Sequence, residues 1–185
     1  MPALWRPAIP ADAAAIASLA RAELGDYGEA ADLYAERIAL APGGCWVLSG
    51  GDADAPPRQE EAGDGAEHEG ASGRPPAVLG HCISHPWHRF APPAMHRLLG
   101  DLPPDADCWY LHDVVVAPAG RGSRAVERLL PILADAAARR RIPILALVAV
   151  GGADAYWARQ GFFAAPGAAE GFGADAVYME RPATR

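Results

Sequence analysis

Apolar residues recur along the chain with two different spacings, and the changes between them predict the secondary structure. Spacings of three and four residues predict helices, whereas short apolar runs bounded by glycine or proline predict strands. The predicted helices cover residues 10–24, 28–40, 121–141 and 152–163. The predicted strands cover residues 3–8, 45–50, 77–87, 108–118, 143–150 and 175–181. The proline-rich segment 88–107 is predicted to be a connection with one helical turn at 95–99.

The order of these elements predicts a single layered α/β domain. Strands and helices are mixed along the chain, which favours helices packed against a sheet. Residues 143–150 form a nearly unbroken apolar run, as expected for a strand buried on both faces. The chain has 185 residues, of which 51% are hydrophobic, so it is long enough to bury a core. We therefore predict one domain, residues 1–185.

The segment 51–76 interrupts this pattern. It holds seven acidic residues and two arginines, and it has no large aliphatic or aromatic side chain. Such a segment cannot bury enough surface to order itself, so we predict a disordered acidic loop inserted between two strands. An acidic arm that recruits a cationic partner is the alternative.

Charge and cysteine content narrow the class of protein. The formal net charge of -7 argues against a nucleic-acid partner. The three cysteines include no C-x-x-C pair, which disfavours a disulfide framework or a zinc knuckle and fits a reducing compartment. The N-terminus lacks the order of a signal peptide, and no apolar stretch is long enough to span a membrane. We expect a cytoplasmic protein without nucleic-acid or membrane partners.

The stretch 116–130, VAPAGRGSRAVERLL, begins as a loop and continues as a helix. A helix N-terminus after a tight loop presents unpaired backbone N–H groups, and its dipole favours an anion. Arg121 adds a fixed positive charge. The stretch therefore indicates a seat for a pyrophosphate. A simple helix start with a surface arginine is the alternative interpretation.

This stretch is part of a longer pattern of loop, helix, buried strand and closing glycine–phenylalanine pair. Its residues are Val116, Pro118, Arg121, Gly122, Ala153, Trp157, Arg159, Gly161 and Phe162. The pattern resembles the GNAT superfamily of acetyl-coenzyme A-dependent N-acetyltransferases. The N-terminal RPAIPADAAAIASLARAEL is similar to that family's opening strand and helix. The resemblance covers most of the chain outside 51–76 and implies a mixed, mostly antiparallel sheet with splayed central strands, flanked by helices.

The resemblance implies acetyl-coenzyme A as the co-substrate. The pantetheine arm would lie where the strand 109–117 splays from the strand 144–150, and loop N–H groups would hold the pyrophosphate. The implied coenzyme-binding residues are Val115, Val116, Arg121, Gly122, Ser123, Arg124, Ala125, Val126 and Trp157.

The loop departs from the family's pattern at two positions. Arg124 and Val126 occupy the two glycine positions that follow Arg-Gly. Arg124 either turns outward and adds a charge-assisted bond to a phosphate, or it crowds the site. Because most of the required N–H groups belong to the helix turn itself, we expect coenzyme binding to be retained.

Acetyl transfer requires a base and an oxyanion donor. The amine must be neutral before it attacks the thioester, and a backbone N–H near Val116 is the natural oxyanion donor. Asp113 is the first candidate base and His112 the second. Strand alternation places these two on opposite faces, so only one is expected to face the cleft. A structural carboxylate is the alternative for Asp113.

The residues leave two candidates for the general acid. By resemblance it is often a tyrosine at the position that Trp157 occupies here, and tryptophan cannot deliver a proton. Either Tyr156 or water is therefore expected to protonate the leaving thiolate.

The stretch GHCISHPWHRF is rich in histidine. A metal site is one interpretation, but strand alternation places Cys82 on the face opposite His81 and His85, and we predict no metal. The end of this strand is predicted instead to line the acceptor side. The predicted acceptor-binding residues are His85, Trp87 and His88.

These observations predict an acyltransferase that acetylates an amine of unknown identity, either a small molecule or a protein. A non-catalytic acyl-coenzyme A binder or sensor with the same fold is the alternative, suggested by the missing tyrosine and glycines. A third hypothesis is an interaction protein that uses the acidic segment. By resemblance alone, a homodimer is expected.

Overall fold

A computed structural model of the protein describes residues 3–50, 77–166 and 169–184. The strands in this part of the chain are β1 (Leu4–Pro7), β2 (Trp46–Ser49), β3 (Val78–Trp87), β4 (Cys108–Val116), β5 (Ile144–Ala149), β6 (Phe163–Ala164) and β7 (Val177–Pro182). The helices are α1 (Ala13–Leu24), α2 (Ala31–Leu40), α3 (Ala125–Arg139) and α4 (Asp154–Arg159). No described helix is long and apolar enough to cross a membrane. The predicted acidic loop 51–76 lies outside the described residues.

The strands form one mixed sheet with the order β1-β2-β3-β4-β5-β7-β6. Only the neighbouring pair β4 and β5 is parallel; the other described pairs are antiparallel. The parallel pair requires a crossover, which α3 provides. The predicted mixed, mostly antiparallel sheet is confirmed.

Helices cover both faces of this sheet, as the periodicity predicts. One core lies beneath α3 and α4, where the stripe of Leu129, Leu133 and Ala137 packs against β4 and β5. A second core lies beneath α1 and α2, where Ile16 and Ile38 pack against β2 and β3. The central strands β4 and β5 have buried residues on both of their faces.

Two local predictions differ from the structure. The helix predicted over 152–163 is shorter in the structure, where α4 ends at Arg159. Phe163 instead begins the strand β6, which has only two residues, both exposed, and which no apolar alternation marks in the sequence. Residues 95–99 form a turn rather than a helical turn, because His96 has a left-handed φ of 57°.

The helix α3 contains a proline that weakens it. Pro131 lies within the helix on its exposed side, and proline cannot donate to the carbonyl four residues earlier. The substitution Pro131→Ala should therefore raise the free energy of unfolding by about 1–2 kcal/mol in a urea titration. Arg139→Ala, at the exposed end of α3, is the control and should change little. A less stable Pro131→Ala variant would contradict the prediction.

His81 is a fully buried histidine in β3. Its ring packs edge-on against the ring of Tyr34, with centroids 5.8 Å apart. Neither ring nitrogen has a hydrogen-bond partner within the described residues. Burial lowers the pKa of His81 to about 4, although nearby Asp113 opposes the shift. His81 is therefore neutral in the folded protein at physiological pH.

This neutral histidine makes stability depend on pH. In the unfolded chain a histidine gains its proton near pH ~6.5, whereas folded His81 gains it only near pH 4. The unfolded state binds more protons between these values, so stability falls as the pH drops through this window, by about 1.4 kcal/mol per pH unit. His81→Leu should make this fall shallower in urea titrations at several pH values. The control is His88→Ala, which should leave the steepness of the fall unchanged, because the side chain of His88 is 45% exposed. An equally steep fall in His81→Leu would refute the assignment.

Candidate active site

A cleft opens in the middle of the sheet where two neighbouring strands separate. β4 pairs with β5 only from Trp109 to Leu111. In the pairing of β4 with β3, Asp113 lies opposite Ile83 and Leu111 lies opposite Ser84, which leaves His112 as an extra residue. Such a bulge bends a strand and increases its twist. The bend lies directly after the last pair with β5, and the cleft begins there.

Because of the bulge, the two candidate bases do not lie on opposite faces of β4 as predicted. Simple alternation would place His112 and Asp113 on opposite faces of β4, but the extra residue breaks the alternation. Both residues line the cleft. Their side-chain ligand atoms and those of Glu29 all lie within 4.8 Å of one another. The structure therefore brings both candidates, and a third acidic residue, into one cluster.

Glu29 is the centre of this cluster. It lies between α1 and α2 and is only 1% exposed. Its Oε2 lies 2.9 Å from Nε2 of His112 and 2.8 Å from Nη1 of Arg37. Its Oε1 accepts hydrogen bonds from the His96 backbone N–H at 2.7 Å and from Nη2 of Arg37 at 3.2 Å. One carboxylate thus joins α2, β4 and the connection between β3 and β4.

The charge of Glu29 fixes which nitrogen of the His112 ring donates to it. Burial would raise the pKa of Glu29, but hydrogen bonding and charge from His112, with the charge of Arg37 and the His96 amide, outweigh burial and lower it. An ionised carboxylate only accepts hydrogen bonds, so Nε2 of His112 carries the proton in this contact. When the ring is neutral, Nδ1 has a free lone pair, and it has no partner among the described residues. His112 has the unused acceptor that a general base needs.

Tyr34 links Asp113 to the same cluster. Its hydroxyl donates to Oδ2 of Asp113 at 2.7 Å and accepts from the backbone N–H of Glu29 at 3.1 Å. Burial and the negative charge of Asp113 raise the pKa of Tyr34, so the phenol stays protonated and remains a donor. The Asp113 carboxylate is thereby held in place beside His112.

Sequence reasoning missed Glu29, Tyr34 and Arg37. One signal was present in α2, where Arg37 falls on the apolar stripe between Leu33 and Ile38 and is fully buried. An arginine on the buried face of a helix requires an acidic partner. The partner could not be identified, because the contact of Glu29 with His112 spans 83 residues of sequence.

The predicted acceptor residue His85 lies behind the cluster rather than in the cleft. Its ring is fully buried, with its centroid 6.1 Å from that of His112. Nδ1 lies 3.1 Å from the carbonyl oxygen of Pro86 and therefore carries the proton. Burial and the nearby His112 lower the pKa of His85 to about 3. His85 is a neutral ring that packs against His112.

The other two predicted acceptor residues lie at the end of β3. Trp87 donates to the carbonyl of Ala91 at 2.8 Å, and Nε2 of His88 lies 3.8 Å from Oδ1 of Asp105. None of the three predicted residues is among the described residues that line the cleft. The physical reason is the strand order, since β3 lies on the far side of β4 from the cleft.

Other side chains form the open side of the cleft. They come from the end of α1, the turn after it, the connection between β3 and β4, and the segment before β7. These residues are Leu24, Tyr27, Met95 and Phe172. The cavity that they share with β4, β5 and α4 has a volume of about 140 Å³.

The loop between β4 and α3 contains two residues with left-handed backbone and leads directly into the helix. Gly122 and Arg124 have left-handed φ values of 77° and 54°, and α3 begins at Ala125. The hydroxyl of Ser123 donates to the carbonyl of Gly120 at 2.8 Å. The first N–H groups of a helix have no partner within it. A cavity of about 340 Å³ lies beside the loop, and its lining residues are Val116, Gly120, Arg121, Gly122, Arg124, Ala125, Val126, Glu127 and Tyr156.

Arg121 has partners in the protein on both its backbone and its side chain. Its backbone N–H donates to the carbonyl of Pro118 at 3.2 Å. This N–H was expected to bind the pyrophosphate, and the structure shows that it is already occupied. Its Nη2 lies 2.7 Å from Oε2 of Glu23, and its Nε donates to the carbonyl of Val116 at 3.2 Å. The guanidinium is 62% exposed and remains accessible beside the loop.

The edge of β4 that faces the cleft can pair with an extended ligand. The backbone N–H of Ala117 donates to Leu79 in β3. Backbone groups alternate between the two edges of a strand, so those of Val114 and Val116 point away from β3. Val114 lines the cleft and Val116 lines the loop cavity. Val115, predicted to bind the coenzyme, instead directs its backbone groups toward β3.

The two aromatic residues of α4 point to different cavities. Trp157 lines the cleft and is nearly buried, with its ring packed against that of Phe162. Tyr156 lines the loop cavity, and burial raises its pKa. Tyr156 is not among the described residues that line the cleft with His112 and Asp113, so the structure does not bring the predicted acid to the predicted bases.

Glu29, His112 and Asp113 are close enough together to consider a metal. Both oxygens of Glu29 already accept hydrogen bonds within the protein. The positive guanidinium of Arg37 lies against the same carboxylate, and a bound cation would be repelled by it. The donor set fits a hydrogen-bonded cluster better than a metal centre.

The comparisons with known proteins are informative for structure only. No protein-family model and no curated protein matches the sequence. Ard1 from Thermoplasma volcanium matches with a TM-score of 0.65 and 12% identity over 100% of both chains. GphF, a GNAT-like decarboxylase in complex with isobutyryl-CoA, matches with a TM-score of 0.63 and 18% identity over 98% of this chain and 100% of its own.

A GNAT-family acetyltransferase from Listeria monocytogenes 4b F2365 also matches, with a TM-score of 0.58 and 13% identity over 97% of this chain and 94% of its own. These identities are low, so the likeness is one of fold. It extends over the whole chain and agrees with the mixed sheet, the splayed central strands and the helices on both faces. The protein has a GNAT-like fold.

Proposed function

We propose that the protein transfers the acetyl group of acetyl-coenzyme A to the nitrogen of an amine. The observation that carries this proposal is the edge of β4 beyond Leu111 that no longer pairs with β5, which runs from the cluster of Glu29, His112 and Asp113 to the cavity beside the first turn of α3. A solved neighbour with isobutyryl-CoA and another that is an acetyltransferase support a coenzyme A thioester as the acyl donor.

Backbone groups would hold most of the coenzyme. The N–H groups of the first turn of α3, together with the helix dipole, favour its pyrophosphate. The pantetheine arm is an extended chain with two amides, and it would pair with the backbone groups of Val114 and the N–H of Val116 as an added strand does, because the carbonyl of Val116 already accepts from Arg121. The exposed guanidinium of Arg121 would add a charge-assisted hydrogen bond.

His112 is the proposed general base and Asp113 the proposed anchor for the ammonium group. An imidazole suits proton transfer near neutral pH better than a carboxylate does. The Glu29 contact leaves Nδ1 of His112 free to accept a proton. Asp113 is held by Tyr34 and would attract and orient the amine. This assignment reverses the order of preference that the sequence suggested.

The transfer needs no cofactor besides the co-substrate acetyl-coenzyme A. The neutral nitrogen attacks the thioester carbonyl, and the new N–C bond displaces the carbonyl electrons onto oxygen, where a β4 N–H stabilises them. The C–S bond then breaks and the thiolate leaves. Solvent protonates the thiolate, since Tyr156 faces the other cavity. His112 passes the amine proton to solvent.

A non-catalytic acyl-coenzyme A binder is the second candidate. The observation that favours it is Trp157, which lines the cleft at the position where the resembled family often has a tyrosine. Such a protein would bind coenzyme A but would not acetylate any amine. The two candidates are separated by turnover.

The anion seat can be tested by coenzyme A binding in isothermal titration calorimetry. Arg121→Ala should weaken binding about tenfold, because a charge-assisted hydrogen bond to the pyrophosphate is lost. Arg128→Ala removes the same charge from α3, where the wild-type side chain donates to the carbonyl of Ala3, and should have little effect. Equal losses in both variants would show that only net charge matters and would contradict a seat at Arg121.

The two roles in the cluster can be separated by steady-state kinetics. His112→Asn should lower kcat about a hundredfold or more, because the general base is lost. Asp113→Asn should raise the KM of the amine more than it lowers kcat. Thiol release from acetyl-coenzyme A measures both effects, and calorimetry should show unchanged coenzyme binding.

Tyr156→Phe is the matched control and should keep kcat within about twofold of wild type. Wild-type kcat in His112→Asn would contradict the assignment of the base. Loss of kcat in Asp113→Asn alone would make Asp113 the base.

A further inference from the structure

We propose that the acceptor is a monoamine whose amino group is attached to an apolar group, and that Tyr27, Met95 and Phe172 select it. This inference rests on the proposed function and names the class of amine that the same cleft takes. The cleft has a volume of about 140 Å³. An apolar cavity of about 150 Å³ holds benzene, and the thioester end of the coenzyme would share this cleft, so the acceptor group that enters it is no larger than one ring or one branched aliphatic group.

The wall on the open side of the cleft is uncharged. Apart from the strands and α4, the lining consists of Leu24, Tyr27, Met95 and Phe172. Phe172 is only 8% exposed, although it lies outside any helix or strand. Burying an apolar substrate group against such a wall removes apolar surface from water and is favourable.

Two segments of this wall are fixed to each other. The hydroxyl of Tyr27 donates to the backbone carbonyl of Phe172 at 2.7 Å. The next residue, Gly173, has a φ of 100°, and a Cβ there would lie 2.8 Å from the Tyr27 hydroxyl. The contact therefore needs glycine at 173. Tyr27 and Phe172 form a preorganised surface, which lowers the entropy lost on binding.

The third segment is fixed by two carboxylates. Glu29 accepts the backbone N–H of His96, the neighbour of Met95, at 2.7 Å. Glu36 accepts the N–H groups of Leu99 and Gly100 at 2.8 and 2.9 Å. Because Glu29 also holds His112, one carboxylate sets the distance between the apolar wall and the base.

The charges of the cleft limit the acceptor to a single amino group. Of the described residues that line it, Asp113 is the only acid, and none is lysine or arginine. A second ammonium group would lack a partner, and an acceptor carboxylate would meet Asp113 without a neutralising cation. Apolar walls also favour the neutral amine, which is the form that attacks.

A panel of matched amines tests this inference with the full-length protein and acetyl-coenzyme A. Phenylalaninamide and phenylalanine differ only in the carboxylate, and spermidine adds further ammonium groups. We expect kcat/KM for phenylalaninamide to exceed that for phenylalanine and for spermidine by about tenfold or more. 2-Phenylethylamine and a short peptide with an N-terminal phenylalanine distinguish a small amine from a peptide as the source of the same chemistry.

Variants of the wall complete the test. Met95→Ala and Phe172→Ala should each lower kcat/KM for phenylalaninamide about tenfold while coenzyme A binding, measured by calorimetry, stays unchanged. Leu98→Ala is the control, because Leu98 lies on the same connection but is 62% exposed and does not line the cleft.

Two results would overturn the inference in different ways. Preferred turnover of spermidine or phenylalanine would refute the apolar monoamine and leave acetyl transfer standing. No turnover of any amine by a protein that binds coenzyme A would refute the proposed function and this inference with it.

Discussion

The arrangement of the candidate site depends on one buried ion pair, between Glu29 and Arg37. Both side chains are almost completely buried, so neither charge could remain there without the other. Removing one partner of such a pair typically costs about 3–5 kcal/mol, because the remaining charge is left without compensation. The same carboxylate also holds His112 and the backbone of His96. The pair of Glu29 and Arg37 therefore fixes both which nitrogen of the candidate base donates and the position of the connection that carries Met95.

The ion pair could not act on His112 without the bulge in β4. One extra residue in that strand turns His112 and Asp113 toward the same cleft and ends the pairing with β5 at Leu111. A single irregularity thus separates the strands and places two polar side chains at the opening. In a regular strand, one of these side chains would lie on the opposite face, beneath α3 and α4.

The sequence predicts most of the fold but little of the site, and the reason is the range of the interactions. Helices and strands follow from local apolar spacing, and the loop before α3 was identified from adjacent residues. The stretch CWYLHDVVV reads as ordinary alternation, because a bulge is set by pairing with a distant strand. The partnership of Glu29 with His112 likewise spans 83 residues. His85 and Trp87 were plausible candidates by residue type, but the order of the strands places them away from the cleft.

The loop before α3 shows how an altered sequence can keep a geometry. Glycine adopts a left-handed backbone readily, and Arg124 holds that conformation at a position where the resembled family has glycine. For a non-glycine residue this conformation costs about 1–2 kcal/mol, so the surroundings must impose it. Two contacts hold the loop just before Arg124: Ser123 donates to Gly120, and Arg121 donates to Glu23. The first turn of α3 begins directly after this left-handed residue and lines the loop cavity, where the proposed pyrophosphate would lie.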